Sequence, residues 1–225
     1  MWPASVEELV SAQLELGAQP AAPWHPGPGV LAVGACVVVF ERGLAGPGAR
    51  GDRGWAAAAV LHGSRVTSQA VVDCTAADAY APGLLALREG PCLEAAVRAL
   101  AVRPDVLLVD ASGRDHPRRA GMALHLGAVL DLPTVGVTHR PLEAHGVWPE
   151  DRRGACEPLH VEGEQVGAWV RTRVGTRPLA VHPAWRTDLE TAVNVVLAAA
   201  GPHRTPEPFR HARRLARTAR AGARA

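Results

Sequence analysis

The run Asp105-Val106-Leu107-Leu108-Val109-Asp110 decides the fold of this chain, because it is a short apolar stretch that ends in a carboxylate. A run of this length with no polar interruption is typical of a central parallel strand covered on both faces. In open α/β sheets, ligands bind beyond the carboxyl ends of the strands, so Asp110 is a candidate metal ligand. The alternative interpretation is a turn-forming aspartate, which is common at strand ends.

The segments on either side of this strand indicate the topology. Residues 82–102 have helical periodicity, and Pro104 ends that pattern before the strand begins. Residues 118–130 predict another helix, and residues 133–137 predict the strand after it. Upstream, three apolar segments predict an antiparallel meander, and they are residues 30–40, 55–62 and 65–73. This order predicts an α/β protein with a ribonuclease-H-like fold, in which helices flank a mixed sheet of an antiparallel meander and parallel βαβ strands.

The remaining elements are peripheral to this core. They comprise a helix at residues 6–16, a Gly-rich loop at 43–54, further strands between 159 and 182, and a helix at 188–200. We expect residues 1–208 to form one domain, with its core at about residues 30–200. Residues 209–225 predict a separate Arg-rich helix or tail that frays at its end.

Composition narrows the class of protein. The 225 residues are 48% hydrophobic, carry a net charge of only +2, and draw all 24 basic residues from arginine. The absence of lysine indicates a GC-rich genome with biased codon use. An arginine in this sequence therefore does not by itself indicate a functional guanidinium contact. The four cysteines form no CxxC pair, which excludes a zinc knuckle and fits a reducing compartment. The N-terminus does not resemble a signal peptide and no stretch is long enough to span a membrane, so we expect a cytoplasmic protein.

Several side chains near Asp110 suit phosphodiester chemistry. Glu89 lies in the preceding helix, and we expect it beside Asp110 at the top of the sheet. Paired carboxylates stay ionised only near a cation, and hard oxygen ligands select Mg²⁺ or Mn²⁺, which activate water. His116 could move protons or hold a phosphate, while Arg118 and Arg119 suit bidentate phosphate contacts. The alternative is a solvated helical glutamate followed by the polar start of another helix.

These residues belong to ordered motifs that resemble the endonuclease V family, the deoxyinosine 3′ endonucleases. The motifs are Tyr80-Ala81-Pro82-Gly83-Leu84-Leu85-Ala86-Leu87-Arg88-Glu89-Gly90-Pro91, Pro104 to Asp110, His116-Pro117-Arg118-Arg119-Ala120-Gly121, Leu132-Pro133-Thr134-Val135-Gly136-Val137, Arg186-Thr187-Asp188-Leu189-Glu190 and Pro206-Glu207-Pro208-Phe209-Arg210. The resemblance implies a Mg²⁺ cofactor, with Mn²⁺ as an alternative, and cleavage of DNA or RNA on the 3′ side of inosine. It implies Glu89 and Asp110 as metal ligands, and His116 and Asp188 as further catalytic residues.

The resemblance also implies a nucleic-acid-binding surface. Its members are Tyr80, Pro82, Gly83, Arg88, Arg118, Arg119 and His139. The family's Pro-Tyr-Ile-Pro wedge corresponds to Ala79-Tyr80-Ala81-Pro82, which keeps the aromatic ring for stacking on a base. A flipped hypoxanthine would lie near residues 84–85 and 121–125.

Three positions depart from the family pattern. The resemblance implies a third carboxylate ligand at Cys36, or at Val37 if the register shifts by one residue, and neither is a carboxylate. Glu41 is five residues from Cys36, on the opposite face of a regular strand. A thiol is a soft, mostly neutral ligand that suits Mg²⁺ badly. We favour a small buried strand residue at Cys36 over a site for a softer metal. His139 replaces a lysine of the family, and Trp185 replaces a histidine.

These departures leave three functional hypotheses open. The first is an active endonuclease V-like enzyme, and the second is a relative that binds deaminated or distorted nucleic acid without cutting it. In the third, an arginine cluster tracks phosphates along a strand, and its members are Arg210, Arg213, Arg214, Arg217, Arg220 and Arg224. The alternative to the third is a solvated helix face. We expect a monomer with a nucleic-acid partner and no membrane contact.

Overall fold

The structure is a computed structural model that describes residues 2–19, 21–43 and 46–223. Its strands are β1 (Ala32–Phe40), β2 (Arg53–His62), β3 (Arg65–Thr75), β4 (Val106–Val109), β5 (Thr134–Thr138), β6 (Cys156–Val161), β7 (Glu164–Val170) and β8 (Leu179–Pro183). Its helices are α1 (Val6–Ala18), α2 (Leu85–Arg98), α3 (Met122–Leu130), α4 (Leu189–Ala200) and α5 (Glu207–Gly222). The predicted loop at 43–54 includes residues 44 and 45, which lie outside the described residues.

All eight strands form one mixed sheet in the order β3-β2-β1-β4-β5-β8-β7-β6. The first three strands are an antiparallel meander, with Cys36 opposite Ala58. β4 runs parallel to β1, so that Cys36 pairs with Val109, and β5 runs parallel to β4. The predicted ribonuclease-H-like α/β fold is confirmed. The later strands extend the same sheet, because β8 adds antiparallel to β5.

Side-chain alternation along the strands builds a core on each face of the sheet. Cys36 and Leu107 contribute to the core covered by α1, α2 and α3. Their neighbours Val37 and Leu108 contribute to the core covered by α4 and α5. β4 is apolar and buried at every position because helices cover both faces of the sheet.

Two helices begin later than the sequence predicts, because tertiary contacts set their first residues. Gly83 has φ +74°, which interrupts the helical pattern expected from residue 82, and α2 begins at Leu85. Gly121 caps α3, and a Cβ there would lie 2.3 Å from the Ser112 carbonyl oxygen. In the described part of the chain, no helix has both the length and the apolar character needed to cross a membrane.

α5 packs on the sheet rather than forming a tail apart from the domain. Phe209, Ala212 and Ala216 are at most 1% exposed, in the core beneath β1 and β2. α5 begins at Glu207, and its buried face belongs to the same core as residues of β1 and β2. Arg224 of the predicted cluster lies outside the described residues.

Candidate active site

Cys36, Glu89 and Asp110 meet at the carboxyl end of β4. The parallel register of β1 and β4 puts Cys36 opposite Val109, one residue before Asp110. α2 brings Glu89 over the same edge, and all three residues line one cavity of about 310 Å³, which we call the Cys36 cavity. The structure thus brings together the predicted pair of carboxylates and the cysteine that departs from the family pattern.

Burial disfavours negative charge in this cavity. It raises the pKa of Glu89 to about 7, with the Asp110 charge adding to the rise and the Arg88 charge opposing it. Burial also raises the pKa of the Cys36 thiol far above its ordinary value, and the charges of Asp110 and Glu89 raise it further. Cys36 therefore stays a neutral thiol, and Glu89 takes up a proton more readily than a solvent-exposed glutamate does.

Arg213 of α5 is a member of the site that the sequence reasoning did not assign. Its Nη2 donates to Asp110 Oδ2 at 2.6 Å, with side-chain exposures of 24% and 43%. Arg217 lies one helical turn further along and lines the same cavity. The signal in the sequence was the four-residue spacing of these two arginines, which puts both on one face of a helix.

The residues of the Cys36 cavity do not fit a divalent metal ion. Asp110 is ion-paired with Arg213, and Cys36 offers a soft sulfur where a hard oxygen ligand is required, so Glu89 is the remaining carboxylate that lines the cavity. Among residues 2–19, 21–43 and 46–223, no group of three or more His, Cys, Asp or Glu side chains could hold a metal. Mg²⁺ requires near-octahedral oxygen ligands, which this set does not supply.

A second cavity of about 230 Å³, which we call the Tyr80 cavity, lies on the other side of Asp110. Tyr80 is 44% exposed at its rim, and Ser112 lines its wall. Leu85 and Met122 line both cavities, as does Asp110. The segments expected near a flipped base therefore reach this cavity in part. The buried His125, by contrast, stacks under Trp2 with ring centroids 4.7 Å apart.

His116 lies at the Tyr80 cavity, but both of its ring nitrogens are engaged. Nδ1 accepts from the Arg118 amide at 3.2 Å, so Nε2 carries the proton and donates to the Gly83 carbonyl oxygen at 3.1 Å. Burial lowers the pKa of His116, so the ring is neutral. Arg118 Nη2 and Gln13 Nε2 also donate to Gly83, at 2.9 and 3.2 Å. Together these donors fix the turn that follows Tyr80.

Arg88 and Arg119 both form ion pairs with carboxylates of the protein. Arg88 is 3% exposed and donates to Asp52 Oδ2 at 2.7 Å, so it has no surface to offer to a phosphate. The loop before β2 covers it through Ala49 and Asp52. Arg119 Nη2 lies 3.1 Å from Glu162 and 3.7 Å from Glu164, at the β6–β7 turn.

His139 and Asp188 lie at opposite ends of the central strands, because His139 follows β5 and Asp188 follows the antiparallel strand β8. His139 follows β5, and its Nδ1 lies 3.0 Å from Arg204 Nη1. Burial and the Arg204 charge lower the pKa of His139. The Asp110 charge opposes this fall, and the Arg213 charge adds to it.

Asp188 caps α4, where Oδ1 accepts from the Thr191 amide at 2.7 Å and this bond lowers its pKa. β8 runs antiparallel to β5, so residues after β8 lie at the edge away from Asp110. The structure therefore does not bring Asp188 to the Cys36 cavity.

Comparisons of sequence agree on one family. A family model described as Endonuclease V matches residues 44–214. The Endonuclease V of Myxococcus xanthus is 38% identical over 219 residues, which cover 95% of this chain and 89% of that protein. The Endonuclease V of a Roseiflexus species is 45% identical over 137 residues, which cover 61% of this chain. That alignment spans 62% of the Roseiflexus protein, less than two thirds of its length.

Comparisons of structure agree with the sequence comparisons. The crystal structure of the Endonuclease V of Streptomyces avermitilis matches with a TM-score of 0.87 and 35% identity, covering 100% of this chain and 96% of that one. The Endonuclease V of Ciona intestinalis, crystallised with a 24mer DNA containing an inosine followed by a ribo-adenosine, matches with a TM-score of 0.77 and 20% identity. It covers 95% of this chain and 96% of its own, and at this identity it shows a shared fold.

Proposed function

This chain belongs to the endonuclease V family, and on this premise we propose that it recognises inosine, a deaminated purine, in a strand of DNA or RNA. The family is one of metal-dependent nucleases, and the relatives indicate a nuclease of the endonuclease V type. One observation carries the proposal, namely that Asp110 lines both the Tyr80 cavity and the Cys36 cavity. A base and its neighbouring phosphate thus have adjacent places on the protein.

The chemistry of the Tyr80 cavity suits a base turned out of its stack. An exposed aromatic ring at the rim can stack on a base of any type, and polar groups in the wall can read the base edge. Tyr80 supplies the ring, and Ser112 lies in the wall. The hydrogen bonds from His116 and Arg118 to Gly83 keep the rim in place. His116 and Arg118 act in this proposal as positioning residues for the loop that carries Tyr80.

Hydrolysis of the phosphodiester on the 3′ side of inosine, with Mg²⁺ or Mn²⁺, is the second candidate function. It is favoured by the shared cavity of Glu89 and Asp110. The neutral thiol of Cys36 and the ion pair of Arg213 with Asp110 oppose it. We therefore rank binding without cutting ahead of hydrolysis. Asp188 has a capping role in both candidates, because its carboxylate is bonded to the first turn of α4.

Binding and cutting can be measured on the same strands. Fluorescence anisotropy would compare single-stranded DNA and RNA carrying one inosine with strands that carry guanosine at that position. Tighter binding of the inosine strands supports the proposal, and equal affinities would overturn it. Nicking of the inosine strands by the unmodified protein in Mg²⁺ or Mn²⁺ would instead establish the second candidate. If only the Cys36→Asp variant nicks the strands, the fold can support catalysis and the unmodified protein lacks a carboxylate metal ligand at position 36.

Within this proposal the protein acts as a cytoplasmic monomer. The four free cysteines suit a reducing compartment. A strand of nucleic acid is the only partner that the proposed recognition requires. Light scattering coupled to size exclusion would test the oligomeric state, with the 23.6 kDa mass of one chain as the expected value.

A further inference from the structure

The Cys36 cavity contains two cationic side chains of its own. Arg213 donates to Asp110 at 2.6 Å, and Arg217 lines the same cavity one helical turn away. A guanidinium stays charged at every pH a protein tolerates. The two arginines equal in number the two carboxylates that line the cavity, Glu89 and Asp110. A divalent cation would therefore enter a cavity whose carboxylate charge is already neutralised.

The ion pair also orients Arg213. A guanidinium has five N–H donors, and Asp110 accepts from Nη2 alone. Within the described residues, the other donors of Arg213 form no hydrogen bond, while its guanidinium carbon lies 5.5 Å from the centre of the Phe209 ring. Phe209 is 1% exposed and belongs to the core between α5 and the sheet, so the ring beside the guanidinium is itself held in place. The ion pair therefore fixes the position of Arg213 and leaves N–H donors of its guanidinium available to a further acceptor.

A groove of about 690 Å³ continues from the Cys36 cavity along α5. We call it the arginine groove, and its guanidinium-bearing members are Arg204, Arg210, Arg213, Arg214 and Arg217. Arg213 and Arg217 line both the groove and the Cys36 cavity, so the two are continuous. The guanidinium fork matches the oxygens of a phosphate. The Tyr80 cavity, Asp110 and the arginine groove therefore form one path across the protein.

From these contacts we propose that the Arg213 guanidinium takes the place of a divalent cation, so that the Cys36 cavity is a metal-free site for a backbone phosphate. Arg213 binds the phosphate next to the base held in the Tyr80 cavity, and the following phosphates lie along the arginine groove. Asp110 acts as a positioning residue for the guanidinium. Cys36 fits this role as a small neutral side chain that adds no charge to the anion site. The identity of the base rests on the proposed function, whereas the replacement of the metal does not.

Metal binding can be measured without any nucleic acid. Electron paramagnetic resonance of free Mn²⁺ would be recorded with the full chain and with the double variant Cys36→Asp/Arg213→Ala. We expect the unmodified chain to leave the Mn²⁺ signal unchanged at millimolar protein, and the double variant to reduce it. Stoichiometric Mn²⁺ binding by the unmodified chain would overturn the proposal. Circular dichroism of the double variant would confirm that it folds, and Arg213→Ala alone gives a second variant if it does not.

Phosphate binding is tested by affinity for an oligonucleotide with EDTA and with Mg²⁺. We expect equal affinities in the two buffers, and a loss of about ten-fold or more for Arg213→Ala, as for a charge-assisted hydrogen bond. The slope of log affinity against log salt should fall by about one contact. Arg65→Ala is the matched control, because Arg65 is exposed at the opposite edge of the sheet. Weaker binding in EDTA, or an Arg213→Ala variant that binds like the control, would overturn the proposal. Loss of the inosine preference alone would overturn only the proposed function.

Discussion

The Arg88 guanidinium lies 2.7 Å from the Asp52 carboxylate, in an ion pair whose side chains are only 3% and 10% exposed. Arg88 Nη1 also donates to the carbonyl oxygens of Ala49 and Asp78, at 2.8 and 3.0 Å. Its guanidinium carbon lies 4.2 Å from the centre of the Phe40 ring. A single side chain of α2 therefore fastens the loop before β2 and the loop after β3, and Tyr80 lies in the second of these loops.

Replacement of Arg88 should destabilise the whole domain. We expect Arg88→Leu to lower the free energy of unfolding by about 3 kcal/mol, because removing one partner of a buried pair strands the other polar groups. Urea unfolding would measure the change. Arg98→Leu is the matched control, since Arg98 pairs with Glu94 on the surface at 59% exposure and should cost no more than about 0.5 kcal/mol. Equal losses for the two variants would contradict a structural role for Arg88.

Tyr80 should contribute to affinity through its ring rather than through its hydroxyl. Stacking of one base on an aromatic side chain is worth about 1–3 kcal/mol. We therefore expect Tyr80→Ala to weaken binding of an inosine strand by about ten-fold, and Tyr80→Phe to keep most of the affinity. Anisotropy titrations of the two variants measure this difference. A Tyr80→Phe variant as weak as Tyr80→Ala would assign the contact to the hydroxyl.

His116 should act by holding Gly83 in place. His116→Gln keeps an N–H that can reach the Gly83 carbonyl oxygen, whereas His116→Ala leaves that donor missing. We expect His116→Ala to bind an inosine strand several-fold more weakly and His116→Gln to bind nearly as well as the unmodified chain. Affinity would be measured at several pH values. Because burial keeps the ring neutral, no dependence on its protonation is expected above pH 7. If the glutamine variant also lost binding, the imidazole itself would be required.

The order of elements could be predicted from the sequence because it depends on local patterns. The unbroken apolar run before Asp110 predicts a buried strand, and the segments around it show alternating or helical patterns. Each of these patterns is visible within a few neighbouring residues. The starts of α2 and α3 could not be predicted in the same way. Gly83 and Gly121 set them through a left-handed backbone and a close approach to Ser112, and both depend on the folded structure.

The sequence predicted only the part of the candidate site that lies at the carboxyl end of β4. Asp110 and Glu89 lie in one cavity as expected, since a parallel strand and the helix before it meet at one edge. Arg213 is 103 residues from Asp110, and its role depends on the docking of α5, which no local pattern reports. Asp188 was expected near the site, but the antiparallel direction of β8 takes it to the far edge. Whether β8 pairs parallel or antiparallel with β5 depends on how the whole sheet assembles, so the sequence around Asp188 does not indicate it.

The buried His182 should make the protein less stable as the pH falls. Thr138 Oγ1 donates to the Arg140 carbonyl oxygen, so His182 Nε2 must donate to Thr138, at 3.1 Å, and the buried Nδ1 has no hydrogen-bond partner. Burial lowers the pKa of His182 to about 4, against the opposing charge of Asp115. The unfolded chain, with a histidine pKa of about 6.5, then binds more protons than the folded chain. The contribution of His182 to stability is therefore most favourable above about pH 6.5, and it is lost as the pH falls from there toward about 4.

His182→Gln should remove this part of the pH dependence. Glutamine can still donate to Thr138 but takes up no proton, so its stability relative to the unmodified chain should improve by roughly 2 kcal/mol between about pH 7 and about pH 4.5. Urea unfolding at several pH values would measure the two curves, with the exposed His62→Gln as the control. Parallel curves for His182→Gln and the unmodified chain would show that His182 takes up its proton equally in both states. A relative gain in the stability of His182→Gln as the pH falls would place the cost of protonation at the unpaired Nδ1, since the Thr138 bond is kept in the variant.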